Sequence, residues 1–147
     1  MPGGRVLQWI FKPLMEGQVS RYRKKAGAEQ PKFMGFPAVV LTTKGARTGN
    51  EHSHVLGGFP DGQDAWLVVA SKGGAPTHPH WFVNLAKHPE HVWLEVGKRK
   101  VQVRPVLLEG KVREEALARI AAVAPRYGDY QKKTDREIPI IRLTPIS

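Results

Sequence analysis

AVVLTTKGARTGNEHSHVLGGFPDGQDAWLVVAS, residues 38–71, decides the fold. Three apolar or alternating runs, AVVLTT (38–43), HSHVLGGF (52–59) and AWLVVAS (65–71), are separated by the turns KGARTG (44–49) and PDGQD (60–64). Short runs joined by short glycine-containing turns predict an antiparallel meander, because parallel neighbours need a long crossover.

Downstream, the loop GGAPTHP (73–79) leads into a short helix, HWFVNLAK (80–87), with Pro79 near its first turn, where a missing N–H costs little. VWLEV (92–96) and KVQVRPVLLE (100–109) then form a hairpin across a Gly-Lys turn. A longer helix follows over 112–124, then an irregular aromatic stretch, PRYGDYQKKTDREIP (125–139), and a last strand over 139–145. Upstream, Val6, Leu7, Ile10, Phe11 and Leu14 recur at helical spacing, which predicts an amphipathic helix over residues 4–25, kinked near Pro13. The pattern is α+β: a single domain over 1–147, with an amphipathic segment over 1–30 and a barrel-like core over 36–145. That core has about six mostly antiparallel strands, with the remaining helices at its periphery.

A chain of 147 residues with 41% hydrophobic and 24% charged residues is neither a disordered polyelectrolyte nor a membrane span. The absence of cysteine removes disulfides, thiolate metal sites and cysteine nucleophiles, and fits a reducing cytosol. The N-terminal apolar patch is interrupted by Gln8, Lys12 and Pro13, so it reads as neither a signal peptide nor a span. A cytoplasmic protein is expected.

With 23 Lys and Arg against 13 Asp and Glu, the net charge of +10 favours an anionic partner. Half of that excess lies in the first 36 residues, through Arg5, Lys12, Arg21, Arg23, Lys24, Lys25 and Lys32 against Glu16 and Glu29. The apolar face of the N-terminal helix is expected to cover the core. Its basic face is where residues 4–25 could rest peripherally on the inner face of the cell membrane.

His78, His80, His88 and His91 invite a metal reading. Rings two apart at a helix start diverge by roughly 200°, and the HPEH pair (88–91) lies more than a turn away, so no metal is expected. Ser71 ends a strand before glycines, but G-x-S-x-G is absent and a hydrolytic nucleophile is not expected.

Anion binding is the stronger signal. Lys44, Arg47 and Thr48 crowd one glycine-punctuated turn, while Ser71, Lys72, Gly73 and Gly74 form a second that lets backbone approach a ligand closely. At corresponding ends of neighbouring strands they would form one groove, which the helix beginning near Pro79 would close. His52 and His54 share a strand face and could donate to the same anion. Tyr127 and Tyr130, three apart on a polar stretch, are hard to bury as pure core and could present hydroxyls to a ligand. A flat aromatic ligand with an anionic tail satisfies all these elements.

The strings SKGG (71–74), HP-x-W-x-x-NL and Y-x-x-Y-Q-x-x-T-D-R-x-IP, in this order, resemble the deazaflavin-dependent nitroreductase family over about Phe36 to Pro145. The resemblance implies a split β-barrel that binds coenzyme F-420, an 8-hydroxy-5-deazaflavin with an acidic tail, and passes a hydride to a small-molecule substrate. That substrate would be an enone, lactone, quinone or nitroaromatic. Carried over, Ala46, Arg47 and Thr48 would meet the phosphate and tail, and His52, Ser53, His54, Val55, Leu56 and Gly57 would line the ring edge. Val69, Ala70, Ser71 and Lys72 would hold the ring and linker, and His80, Trp81, Phe82, Val83 and Asn84 would close the cofactor site. Tyr127 would also touch the cofactor, and Tyr130, Tyr127 and Ser71 would be the catalytic donors.

The chain departs from the family pattern in several places. Ala46 and Glu51-His52 stand where relatives carry basic residues and Pro-Arg, and Ala124 stands where nitroimidazole-reducing relatives carry a tyrosine. FMN is the competing cofactor within the same class. A non-catalytic module for cofactor, lipid or nucleic acid is the competing function, with nucleic acid the less expected partner.

Overall fold

The strand expected at 38–43 runs over Phe36–Lys44 (β2), and its alternation divides its side chains between two cores. Val39 and Leu41 point into the barrel interior beside Val68, Leu94 and Leu143. Ala38 and Val40 face the other way, under Val19, Tyr22 and Ala26. Val19 and Tyr22 lie on a helix over 17–25 (α1), and Ala26 follows its end.

The structure is a computed structural model that describes residues 17–26, 30–33 and 35–146, with α1 helical over 17–25. The remaining part of the helix expected at 4–25, with its kink at Pro13, lies outside the described residues. Tyr22 anchors α1, donating through its hydroxyl to Ala38 O at 2.9 Å and accepting from Gly97 N at 2.8 Å. Arg23 adds a two-pronged pair with Glu95, both contacts at 2.9 Å. Within the described residues, then, α1 covers the sheet. No helix among them is long and apolar enough to cross a membrane.

The other strands are β1 (Lys32–Phe33), β3 (Glu51–Gly57), β4 (Phe59–Asp61), β5 (Ala65–Val69), β6 (Val92–Val96), β7 (Arg99–Leu107) and β8 (Ile140–Pro145). The helices are α2 (His80–Lys87), α3 (Gly110–Val123) and α4 (Pro125–Lys132), with a tight turn at Lys72–Gly74 whose three residues all have positive φ. The sheet is antiparallel in the order β1-β2-β6-β7-β8-β5-β4, with β3 on β2. Two crossings curl it into a split barrel. Within β7, Arg99–Gln102 pair with β6 while Val103–Leu107 pair with β8. The other crossing joins β3, on β2, to β4, on β5. Its bend falls at Gly57 and Gly58, and a Cβ on Gly58 would lie 2.9 Å from Val39 and 3.0 Å from Trp66.

About six strands were expected and eight are present among the described residues. The difference arises because HSHVLGGF breaks after Gly57 into β3 and β4, and because Lys32–Phe33 adds a two-residue strand. The stretch after residue 124 corrects the expectation of irregular structure, since Pro125–Lys132 is helical. Gly128 and Asp129 hide it from propensity, but Pro125 sits in the first turn, where no donor is lost, and packing of Tyr127 supplies the rest. Ala116, Ile120, Ala124 and Tyr127 of α3 and α4 close against Leu67 and Ile140 on the outer face of the sheet.

Candidate active site

Among the described residues β3 pairs with β2 alone, so its second edge is open. Half of its peptide groups point along that edge, where they must be met by ligand or water. Across from Val55–Gly57 lie the end of β5, the turn after it, the start of α2 and the exposed side of α4. Together they enclose a groove of about 230 Å³ lined by Val55, Leu56, Gly57, Val69, Ser71, Lys72, Gly73, Pro79, Trp81, Arg126, Tyr127 and Tyr130. That volume lies below the roughly 300–1,000 Å³ of sites that engulf a drug-sized ligand, so a larger ligand held here would lie partly outside it.

Nine of these lining residues were singled out from sequence. Gly73, Pro79 and Arg126 were not assigned to the site. Gly73 belongs to the glycine pair already read as a place of close backbone approach, whereas nothing in the local pattern marks Arg126.

Tyr127 is only 7% exposed, deeper than the polar stretch around it suggests, and it still lines the groove. Its ring stands edge-on to Phe59 at 5.6 Å and to Tyr130 at 5.7 Å, and is tilted to Phe36 at 6.0 Å. Burial, reinforced by Tyr130 and opposed by Arg126, pushes its phenol up to about 12, so it is a neutral hydroxyl throughout the physiological range. Tyr130 remains half-buried at the groove. Gly57 makes room beside them: a Cβ there would lie 2.6 Å from Phe36 Cε2 and 3.1 Å from the Tyr127 hydroxyl.

In the turn after β5, Lys72 has φ 46°, the one positive φ outside glycine among the described residues. Its ammonium donates to Thr77 Oγ1 at 3.0 Å and is exposed.

The first anion-binding candidate, the β2–β3 turn, does not line the groove. Gly45 N donates to Asn50 O at 2.7 Å, Asn50 N to Thr48 Oγ1 at 3.2 Å, and Ala46 N to Asn84 Oδ1 at 3.0 Å. Buried Asn84 donates in turn to Thr43 Oγ1 at 3.2 Å. The helix α2 therefore links the two turns: Trp81 lines the groove while Asn84 holds Ala46. Arg47 and Thr48 are exposed beyond it.

His52, Ser53, His54, Ala70, His80, Phe82 and Val83 also stand off the lining. Ser53 shares a 2.7 Å hydrogen bond with Thr42, Ala70 is in the barrel core, Phe82 packs on His78 at 4.8 Å, and Val83 is surface-exposed. His54 sits opposite Leu41 in the β2–β3 ladder, and its Nδ1 is a buried polar atom with no partner. Burial, with His52 and His80 adding, lowers its pKa and keeps it neutral near pH 7. His91 pairs instead with Glu51 at 2.7 Å and His88 with Glu90 at 3.6 Å. Among the described residues no three His, Asp or Glu side chains come together as a metal site.

The open edge of β3 and the Cβ-free backbone at Gly57 are places where a ligand's polar atoms and ring would fit. The apolar faces of Val55, Leu56, Val69 and Trp81 suit a flat aromatic body.

Comparison with known proteins gives the family of the chain. The family model for F420H(2)-dependent quinone reductase matches residues 14–145. An F420H(2)-dependent quinone reductase of Mycobacterium tuberculosis is 37% identical over 115 residues, spanning 74% of this chain and 73% of that protein. Among solved structures, an F420-H2 dependent reductase (FDR-A) superposes with TM-score 0.65 at 34% identity, covering 73% of this chain and 93% of its own. A domain-swapped dimer superposes with TM-score 0.68 at 28% identity, covering 97% of this chain and 99% of that one.

Proposed function

The chain belongs to the F420H(2)-dependent quinone reductase family, and from that premise we propose that a quinone, or a conjugated carbonyl such as an enone or lactone, is reduced in the groove against α4. It is an oxidoreductase, and its cofactor is coenzyme F-420. When bound, the reduced coenzyme supplies a hydride from C5 of its deazaflavin ring.

Val55–Gly57, Val69, Ser71–Gly73 and Trp81 would hold the ring, with Arg47 and His52 beyond it on the side of the acidic tail. The apolar walls keep water from the reacting face and fix the acceptor against the ring. Hydride uptake by a conjugated carbonyl leaves negative charge on its oxygen. Tyr130, half-buried on the wall, donates a hydrogen bond there and then the proton, which solvent replaces. Tyr127 holds its own proton up to about 12 and so acts as a fixed donor and never as a base near neutrality.

The observation that carries the reading is this pair of phenols on one wall of a flat apolar groove. Ala124 is 2% exposed within the packing of α3 and α4, so position 124 contributes no hydroxyl, which favours carbonyl over nitro acceptors. The test is anaerobic oxidation of reduced coenzyme F-420 by a panel of quinones, enones and nitroaromatics. Turnover is expected with quinones or enones and little with nitroaromatics; a panel in which only nitroaromatics react would overturn the substrate assignment.

A further inference from the structure

Arg136 spends its guanidinium on the turn that forms the floor of the groove. Nε donates to Ala75 O at 3.0 Å, Nη1 to Ala70 O at 3.0 Å, and Nη2 to Ser71 O at 2.8 Å, while Nη1 also meets His78 Nδ1 at 2.9 Å. The turn closes on itself as well, with Gly74 N donating to Ser71 O at 2.9 Å and Ala75 N to Lys72 O at 3.1 Å. Three carbonyls are thus drawn to one cation, a planar fork that lysine cannot reproduce.

The consequence lies on the opposite side of the same peptide planes. A trans peptide points its N–H away from its C=O, and the described backbone has no cis bond. With Ala70 O and Ser71 O both aimed at Arg136, the amides of Ser71 and Lys72 are both aimed away from it. Ser71 and Lys72 line the groove.

The dihedrals agree. Ser71 is right-handed (φ −78°, ψ −40°) and Lys72 left-handed (φ 46°), the succession that gathers consecutive amides into a concave acceptor site. A lysine holds that conformation only where its surroundings over-determine it, and the Arg136 fork is such a constraint.

We propose that Arg136 is a positioning residue for the coenzyme, setting the Ser71 and Lys72 amides as a pair of donors toward an electron-rich acceptor on the edge of the bound ring. The inference rests on reading the groove as the coenzyme site. Arg136 touches no ligand itself. It acts through two peptide groups, whose dipoles its charge reinforces.

The test compares Arg136→Ala and Arg136→Lys with Arg142→Met, which cuts a 2.6 Å ion pair with Asp61 outside the groove. Two quantities are read: hydrogen exchange of the Gly74 and Ala75 amides in the ligand-free protein, and coenzyme F-420 affinity by fluorescence titration. Arg136→Ala should speed exchange at both amides and weaken coenzyme binding about tenfold or more, the scale of lost charge-assisted hydrogen bonds. Added guanidinium should restore part of the affinity, and Arg136→Lys should fall between wild type and alanine. Arg142→Met should lower stability yet bind coenzyme as wild type does. Wild-type affinity in a folded Arg136→Ala or Arg136→Lys protein, or an equal loss of affinity in Arg142→Met, overturns the proposal. If the wild-type protein itself binds no coenzyme, the reading of the groove fails, and unchanged exchange in the Arg136 variants separately refutes the ordering of the turn.

Discussion

The ring of Tyr130 stands edge-on to that of Tyr127, with centroids 5.7 Å apart and planes at 85°, so that a buried phenol and a half-buried one meet on the same wall of the groove. Tyr130→Phe keeps that packing and removes the accessible hydroxyl. Turnover should fall at least about tenfold, in line with loss of a general acid, while coenzyme affinity stays near wild type. Equal losses in both, measured by steady-state kinetics and fluorescence titration, would place Tyr130 in coenzyme binding instead.

Tyr127 makes an alkaline prediction. An unfolded tyrosine releases its proton near pH 10, roughly its unperturbed value, whereas folded Tyr127 holds its proton up to about 12. Its contribution to stability is therefore full below about pH 10 and is lost as pH rises toward about 12, on the order of 2–3 kcal/mol. Tyr127→Phe should remove that share of the alkaline loss. Denaturant midpoints between about pH 8 and 11.5 check it, and parallel declines in both proteins would refute the assignment.

Gly57→Ala places a methyl 2.6 Å from Phe36 Cε2 and 3.1 Å from the Tyr127 hydroxyl. Overpacking of this kind costs about 1–3 kcal/mol. The displaced Tyr127 should also weaken coenzyme binding. Unchanged melting temperature and affinity would show that the corner between β3 and β4 yields more easily than its contacts imply.

Asn84→Ala strands the amide of Ala46 and the hydroxyl of Thr43, which Asn84 meets at 3.0 and 3.2 Å. The expected cost is about 1–3 kcal/mol, with faster hydrogen exchange at Ala46. Because Trp81 shares α2 with Asn84, the same variant should loosen the far wall of the groove. Protection at Ala46 that survives the substitution would argue that the β2–β3 turn orders itself.

Local rules were legible where one element answers to its own residues. Short apolar runs over 38–43 and 65–71 identified β2 and β5, and glycine-containing turns located their ends. The burial of Tyr127 was not legible because a polar, glycine-containing string hides a helix whose packing comes from Phe36 and Phe59, far away in the chain. Arg126 left no local mark at all.

The amino-acid sequence by itself determined the antiparallel strands of a barrel-like α+β domain, because strand period, turn chemistry and short connections act between near neighbours; the split barrel and the residues expected at the groove came from the family resemblance. Only the tertiary structure decided which half of each motif lines the groove. Curling of the sheet through Gly57 and Gly58 opens the β3 edge toward Ser71, Lys72 and Tyr130, and Arg136 turns the Ala70 and Ser71 carbonyls away from it. Those relations depend on where distant segments meet, and residues so far apart carry no periodic signal of one another.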